Sequence, residues 1–164
     1  MKVNHNGHPG LINTDADVIE ARGNRIVIKV ASASQFVGEY SAPEHFAGPP
    51  LHVHPGFDET FVVLDGRLEV TVRDEPMELT AGAAAHVSGN VPHTFRNPTG
   101  SRVRFLLICT PGGFEDYFRG LAAGDEKMIA AVSERFGYAP VDDGAGRVGS
   151  AGRTAPSSAL TAER

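Results

Sequence analysis

Two histidines two residues apart, His52 and His54, stand five residues ahead of a glutamate, Glu59, in LHVHPGFDETFVVLDG, and a third histidine, His93, follows in SGNVPHTFRN. On an extended strand residues i and i+2 share a face, so the two imidazoles project together with Cβ atoms about 7 Å apart, a bite suited to one metal ion. The PGFD insertion bends the chain, letting Glu59 enter from the next strand with Phe61 and Val63 on its face, while His93 opens another strand with Phe95 and Asn97 on its side. Three imidazole nitrogens and one carboxylate oxygen suit a single divalent transition metal ion: iron, manganese, nickel, copper or zinc. An octahedral ion so held keeps two positions for water, oxygen or substrate. The competing reading, with the histidines on a solvated strand and Glu59 paired to an arginine, must explain a spacing whose chance occurrence is on the order of a few per thousand.

These four residues need a β scaffold, and the chain supplies one. From Asn24 the apolar residues alternate with period two through RIVIKVAS, QFVGEYSA, PLHVH, ETFVVLDG, RLEVTVRD, MELTAG, AAHVS, HTFRN and RVRFLLICT, each bounded by Gly, Pro, Asn or Asp. Nine short strands at this spacing predict a β-sandwich or small barrel over residues 24–112. Residues 1–23 read as an arm with one short strand at Leu11-Ile12. After Pro111 the period lengthens: Phe114, Tyr117, Phe118 and Leu121 share one helical face, and Met128, Ile129, Val132 and Phe136 share another after a capping Asp125. Two helices are expected over 113–137, ended by Gly124 and Gly137 and packed on the outside of the barrel. Residues 138–164 hold almost no large apolar side chain and read as a disordered tail.

The length of 164 residues fits one domain, and 19 Gly with 11 Pro favour turns over long helices, which argues against an all-α bundle. A net charge of −5 with scattered Lys and Arg offers no footprint for nucleic acid. No span is long and apolar enough for a membrane helix, and MKVNHNGHPG has neither a basic nor an apolar leader region, so no membrane partner and a cytoplasmic location are expected. The lone cysteine, Cys109, reads as a small core residue.

The spacing H-x-H-x4-E-x6-G in GPPLHVHPGFDETFVVLDG, led by Gly48, resembles the first motif of the cupin superfamily. GAAAHVSGNVPHTFRN resembles the second at Gly82, His93 and Asn97, with Ser88 and Asn90 in place of the usual proline and glycine. Asn90 tolerates the left-handed backbone such a turn requires. The fifteen residues between Gly66 and Gly82 are similar to the compact microbial form, and PGGFEDYFRGLA is more weakly similar to single-domain cupins grouped with quercetin dioxygenases. The resemblance implies an all-β fold: a double-stranded β-helix, or jelly-roll barrel, here followed by one or two helices. It also implies metal ligation by His52, His54, Glu59 and His93, and assembly as a homodimer.

Strand parity then suggests a pocket. Val103, Phe105, Leu107 and Cys109 alternate with Arg102 and Arg104, and with Phe61, Val63 and Phe95 they would make an apolar cavity with the metal as its only polar anchor. Tyr40, sharing the face of Phe36, is expected to point inward and its neighbour Glu39 outward; His86 is a weaker pocket candidate, His45 a rim residue, His5 and His8 solvated. The expected function is a mononuclear metal-dependent dioxygenase acting on a small apolar, aromatic or enolic molecule, with Glu59 loosening from the metal to serve as a base. The alternatives are a non-redox isomerase, epimerase or cyclase, and a non-catalytic small-molecule binder.

Overall fold

The computed structural model describes residues 17–141. In chain order it contains β1 (Val18–Ala21), β2 (Asn24–Ala31), β3 (Phe36–Ala42), β4 (His52–Val53), β5 (Asp58–Asp65), β6 (Arg67–Val72), β7 (Glu75–Thr80), β8 (Ala84–Val87), β9 (His93–Arg96), β10 (Val103–Thr110), α1 (Glu115–Ala123), α2 (Glu126–Phe136) and β11 (Ala139–Pro140). Six strands form one sheet in the order β1-β2-β3-β10-β5-β8, and five form a second in the order β11-β4-β9-β6-β7. Strands distant in sequence thus become neighbours, as in a jelly roll: β10 lies between β3 and β5, and β9 between β4 and β6.

Alternation in the sequence becomes alternation of burial. Phe36, Tyr40 and Ala42 on β3, Phe61 and Val63 on β5, and Val103, Phe105, Leu107 and Cys109 on β10 all point into the core. Phe61 and Phe105 are wholly removed from water, each worth roughly 1.5–3 kcal/mol of burial. Glu39 points outward from β3 as expected, where Lys29 and Arg104 hold it; burial pushes its carboxyl up, but these two cations outweigh that and keep it below the ordinary range.

The two helices are terminated as the sequence predicts. Asp125 caps α2 by accepting from the Lys127 and Met128 amides at 3.1 and 3.0 Å, and Gly124 and Gly137 close α1 and α2 in the left-handed conformation. Val132 and Phe136 of the second stripe are buried, but Met128 is 38% exposed, because its turn of α2 lies away from the barrel. The end of α2 docks on the loop between His54 and Glu59. The Gly56 amide donates to the Phe136 carbonyl at 2.8 Å, and a Cβ on Gly56 would lie 2.7 Å from the Phe136 Cα.

The chain ends differ from expectation. Val18–Ala21, within the stretch read as an arm, pairs with β2 through the Arg22-Gly23 turn; the strand expected at Leu11-Ile12 lies outside the described residues. Residues 138–141, grouped by composition with the tail, add β11 to the second sheet: Pro140 pairs with His52, and the Val141 amide donates to the Leu51 carbonyl at 2.8 Å. Backbone pairing requires no apolar side chains, so composition gave no sign of it. The rest of that stretch lies outside the described residues. No helix among the described residues is long and apolar enough to cross a membrane.

Candidate metal centre

Pairing brings the four motif residues together. His52 on β4 sits opposite His93 on β9, while Glu59 on β5 sits between Val87 of β8 and Cys109 of β10; His54 follows β4 directly. All four are at most 3% exposed, and one potential ligand atom from each lies within 4.8 Å of the others.

The ring nitrogens facing away from the centre are fixed by backbone carbonyls: His52 Nδ1 with Pro50 at 2.9 Å, His54 Nδ1 with Phe57 at 3.0 Å and His93 Nδ1 with Val91 at 2.9 Å. A carbonyl can only accept, so each Nδ1 carries a proton and each ring turns its Nε2 inward. Inside, His54 Nε2 lies 3.0 Å from His93 Nε2 and 3.2 Å from Glu59 Oε2, with His93 Nε2 at 2.8 Å from that oxygen. Lone pairs at these separations repel unless a cation sits among them. Adjacent ligands on one ion with bonds of about 2.1 Å stand roughly 3 Å apart, so the donor set fits a transition metal in both chemistry and spacing. Phe57 stacks on His54 at 3.7 Å between ring centroids and holds the ring's plane.

Protonation follows the same geometry. Burial pushes the Glu59 carboxyl up, but hydrogen bonding and charge from His54 and His93 outweigh it and hold the group down at about 2. Burial pushes His93 down, but Glu59 outweighs it and raises the imidazole above its ordinary value. His52, pushed down mainly by burial and secondarily by His93, lies at about 4 and stays neutral. Glu59 is thus held ionised beside His93.

The ligands open into a cavity of about 170 Å³. His52, His54 and Glu59 line it, together with Tyr40, Phe95 and Leu107 from the expected pocket set. The other three members of that set, Phe61, Val63 and Phe105, pack one layer behind: Tyr40 stacks on Phe105 at 4.9 Å and Phe95 covers Phe61 at 5.2 Å. Parity put them on the correct face but could not show which rings screen which. The cavity is also more polar than expected, since Arg22 and Asn24 line it from the β1–β2 hairpin and Tyr117 and Tyr138 from the C-terminal side. The stripe of α1 therefore forms a cavity wall rather than only an outer layer. The one available signal was that Phe114, Tyr117, Phe118 and Leu121 are unusually aromatic for one short helical face. Tyr138, at 4.8 Å from the His52 ring, carries no such signal.

Several residues stand apart from the site. His86 bonds Thr60 Oγ1 at 2.9 Å on the exposed side of β8. Cys109 is buried, and burial with the Glu59 and Glu115 charges raises its thiol well above the usual value, so it is inert. Asn97 is structural: its Nδ2 donates to Pro43 and Ser101 carbonyls at 2.7 and 2.8 Å, and its Oδ1 accepts from Thr99. Gly48, with φ of 78°, lets the loop before His52 approach the Phe95 carbonyl, where a Cβ would sit at 1.7 Å; Asn90 adopts the left-handed conformation with φ of 66°.

Comparison with known proteins agrees with this geometry. The family model for the cupin domain matches residues 39–109. A segment of 47 residues is 43% identical to quercetin 2,3-dioxygenase of Bacillus subtilis (strain 168), covering 29% of this chain and 14% of that protein. Among solved structures, KdgF from Halomonas sp. superposes with a TM-score of 0.56 at 17% identity, over 61% of this chain and 90% of that one. An RmlC-like cupin from Shewanella frigidimarina NCIMB 400 superposes with a TM-score of 0.54 at 18% identity, over 60% and 86%. These two show the fold alone. Together with the two-sheet jelly roll, they show a cupin-type fold around the segment that the cupin-domain model matches.

Proposed function

We propose that this protein is a mononuclear metal-dependent oxygenase that joins O2 to a small aromatic or enolic substrate. The observation that carries the proposal is the convergence of three Nε2 lone pairs and one carboxylate at the base of a cavity walled mainly by aromatic rings. The segment similar to quercetin 2,3-dioxygenase supports it, although it spans only 14% of that enzyme. A bound iron, manganese, nickel or copper ion would supply Lewis acidity toward the chelating oxygen of the substrate and one-electron chemistry toward O2.

His52, His54, Glu59 and His93 would hold the ion, and the backbone carbonyls at their Nδ1 atoms keep the rings oriented whether or not it is bound. Glu59, the only carboxylate lining the cavity among the described residues, is the group able to take the proton from a substrate enol or phenol at its Oε atoms. Phe95 and Leu107 keep water from that proton, and Tyr40, whose hydroxyl burial holds protonated, offers a hydrogen-bond donor toward the ring. A volume of about 170 Å³ compares with the roughly 150 Å³ cavity that accepts benzene, so the side chains as placed admit ring-sized molecules.

The test is to load the protein separately with each candidate metal and follow oxygen consumption across a panel of phenols, enols and flavonols. Uptake dependent on both metal and substrate, abolished by Glu59→Gln, is expected. Full metal loading with no oxygen uptake across the panel overturns the proposal, and turnover without oxygen would move the site to isomerase or epimerase chemistry.

A further inference from the structure

The cavity has a second polar end. Asn24 is 3% exposed; its Nδ2 makes a long hydrogen bond, 3.4 Å, to the Arg22 carbonyl, and its Oδ1 has no partner. It is the one buried side-chain polar atom without a partner among the described residues, and it belongs to a cavity-lining residue. Buried acceptors are nearly always satisfied, so an orphan at a cavity wall points to a ligand. Two residues earlier, Arg22 lines the same cavity from a left-handed turn position with φ of 52°, and no carboxylate among the described residues lies within ion-pairing distance of it.

Register places this pair away from the metal ligands. Glu59 lies in the row of Cys109 and Phe36, while Ile26 lies in the row of Tyr40, Phe105 and Val63, four residues further along β10. Asn24 lies two residues beyond Ile26, on the side away from the ligand row. Tyr40 and Tyr138 line the same cavity.

We propose that Arg22 and Asn24 form a hydroxyl-binding subsite, so that the substrate is a chelating enol or phenol bearing a second hydroxyl at its far end. The choice of group follows from the donors and acceptors. Asn24 Oδ1 needs a donor and the Arg22 guanidinium needs an acceptor. A carboxylate would satisfy Arg22 and leave Oδ1 orphaned. An ammonium would satisfy Oδ1 and be repelled by Arg22. A hydroxyl gives its proton to Oδ1 while its oxygen accepts from the guanidinium.

This inference rests on the reading of the four-residue cluster as a metal site that chelates substrate, and one experiment separates the two. Protein loaded with iron(II) is titrated without oxygen, following the absorption spectrum of the complex. Two matched ligand pairs are used: kojic acid against allomaltol, which lacks its hydroxymethyl oxygen, and kaempferol against galangin, which lacks the remote ring hydroxyl. In at least one pair the hydroxylated member should bind wild type about tenfold more tightly. That advantage should fall below about twofold in Asn24→Leu and in Arg22→Asn, while the member without the hydroxyl binds all three proteins alike. Asn24→Leu keeps the side-chain shape and removes the orphan acceptor, so the metal-free variant should melt no lower than wild type. If it fails to fold, Arg22→Asn, exposed and tolerant of the left-handed turn, carries the test. No hydroxyl preference in either pair, or a preference retained in both variants, overturns the subsite and leaves the metal reading standing. No spectral change with any of the four ligands overturns both.

Discussion

The end of the cavity that holds the four-residue cluster is assembled from β4, β5 and β9 in the middle of the chain, whereas the facing wall comes from its two sides: the β1–β2 hairpin, helix α1 and Tyr138 just before β11. At the cluster end the three imidazoles are held by backbone carbonyls at their Nδ1 atoms, and the Glu59 carboxylate meets only His54 and His93. At the facing wall the side chains meet mainly as rings, with Phe114 on Tyr117 at 5.0 Å and Tyr117 against Tyr138 at 5.2 Å, and one buried acceptor is unmet.

Removing a ligand should separate the two ends most strongly. His93→Ala is expected to lower bound metal from about one ion per chain to less than about a tenth, and activity by more than about 100-fold, beyond what loss of an outer-shell partner costs. Metal analysis beside a turnover assay reads both. Gly48→Ala attacks the same end through the backbone, because its Cβ would collide with the Phe95 carbonyl at a φ of 78°. A loss on the order of 3 kcal/mol or more in denaturant unfolding is expected.

Acid should weaken the metal-free protein through the same end. His52 titrates near 4 when folded and near 6.5 when unfolded, so the unfolded chain binds more protons in between. Its contribution, roughly 3 kcal/mol, is present above about pH 6.5 and is lost as the pH falls to about 4. Glu59, depressed from 4.5 to about 2, contributes above pH 4.5 and loses that contribution as the pH falls toward 2. His93, raised by Glu59, works in the opposite sense and stabilises most below its ordinary value, fading as the pH rises through its folded one. His52→Phe should flatten the acid limb of a melting-temperature profile between pH 6.5 and 4.

On the facing wall the effects are smaller and of another kind. Tyr138→Ala should leave metal content unchanged and raise KM by about tenfold, since the ring shapes the cavity without supplying a ligand atom. Steady-state kinetics at measured metal occupancy check it. Met128→Ala, on the side of α2 that faces away from the barrel, should alter stability by less than about 0.5 kcal/mol and neither metal content nor KM.

The same contrast explains what could be read before the fold was known. The convergence of His52, His54, Glu59 and His93 is legible because their types and spacing match a metal-ligand pattern, and strand parity carries that spacing into space. The strands of the barrel and both helix caps were legible because alternation, Gly and Asp are local signals. Phe61 and Phe105 were placed in the cavity because parity gives the face of a strand but not the depth of a ring behind its neighbour. Arg22, Asn24 and Tyr138 carry no such local signal. Their positions depend on which sheet edge the chain ends join, and that pairing is made by backbone atoms that leave no trace in residue type.

Metal analysis of the full chain, purified without added ions and compared with its Glu59→Gln and Tyr138→Ala variants, tests the central claim most directly. About one transition metal ion per chain is expected in wild type and in Tyr138→Ala, and a large loss in Glu59→Gln. Wild-type protein that neither carries a transition metal nor takes one up at stoichiometric addition, or that holds it equally well without Glu59, would contradict it.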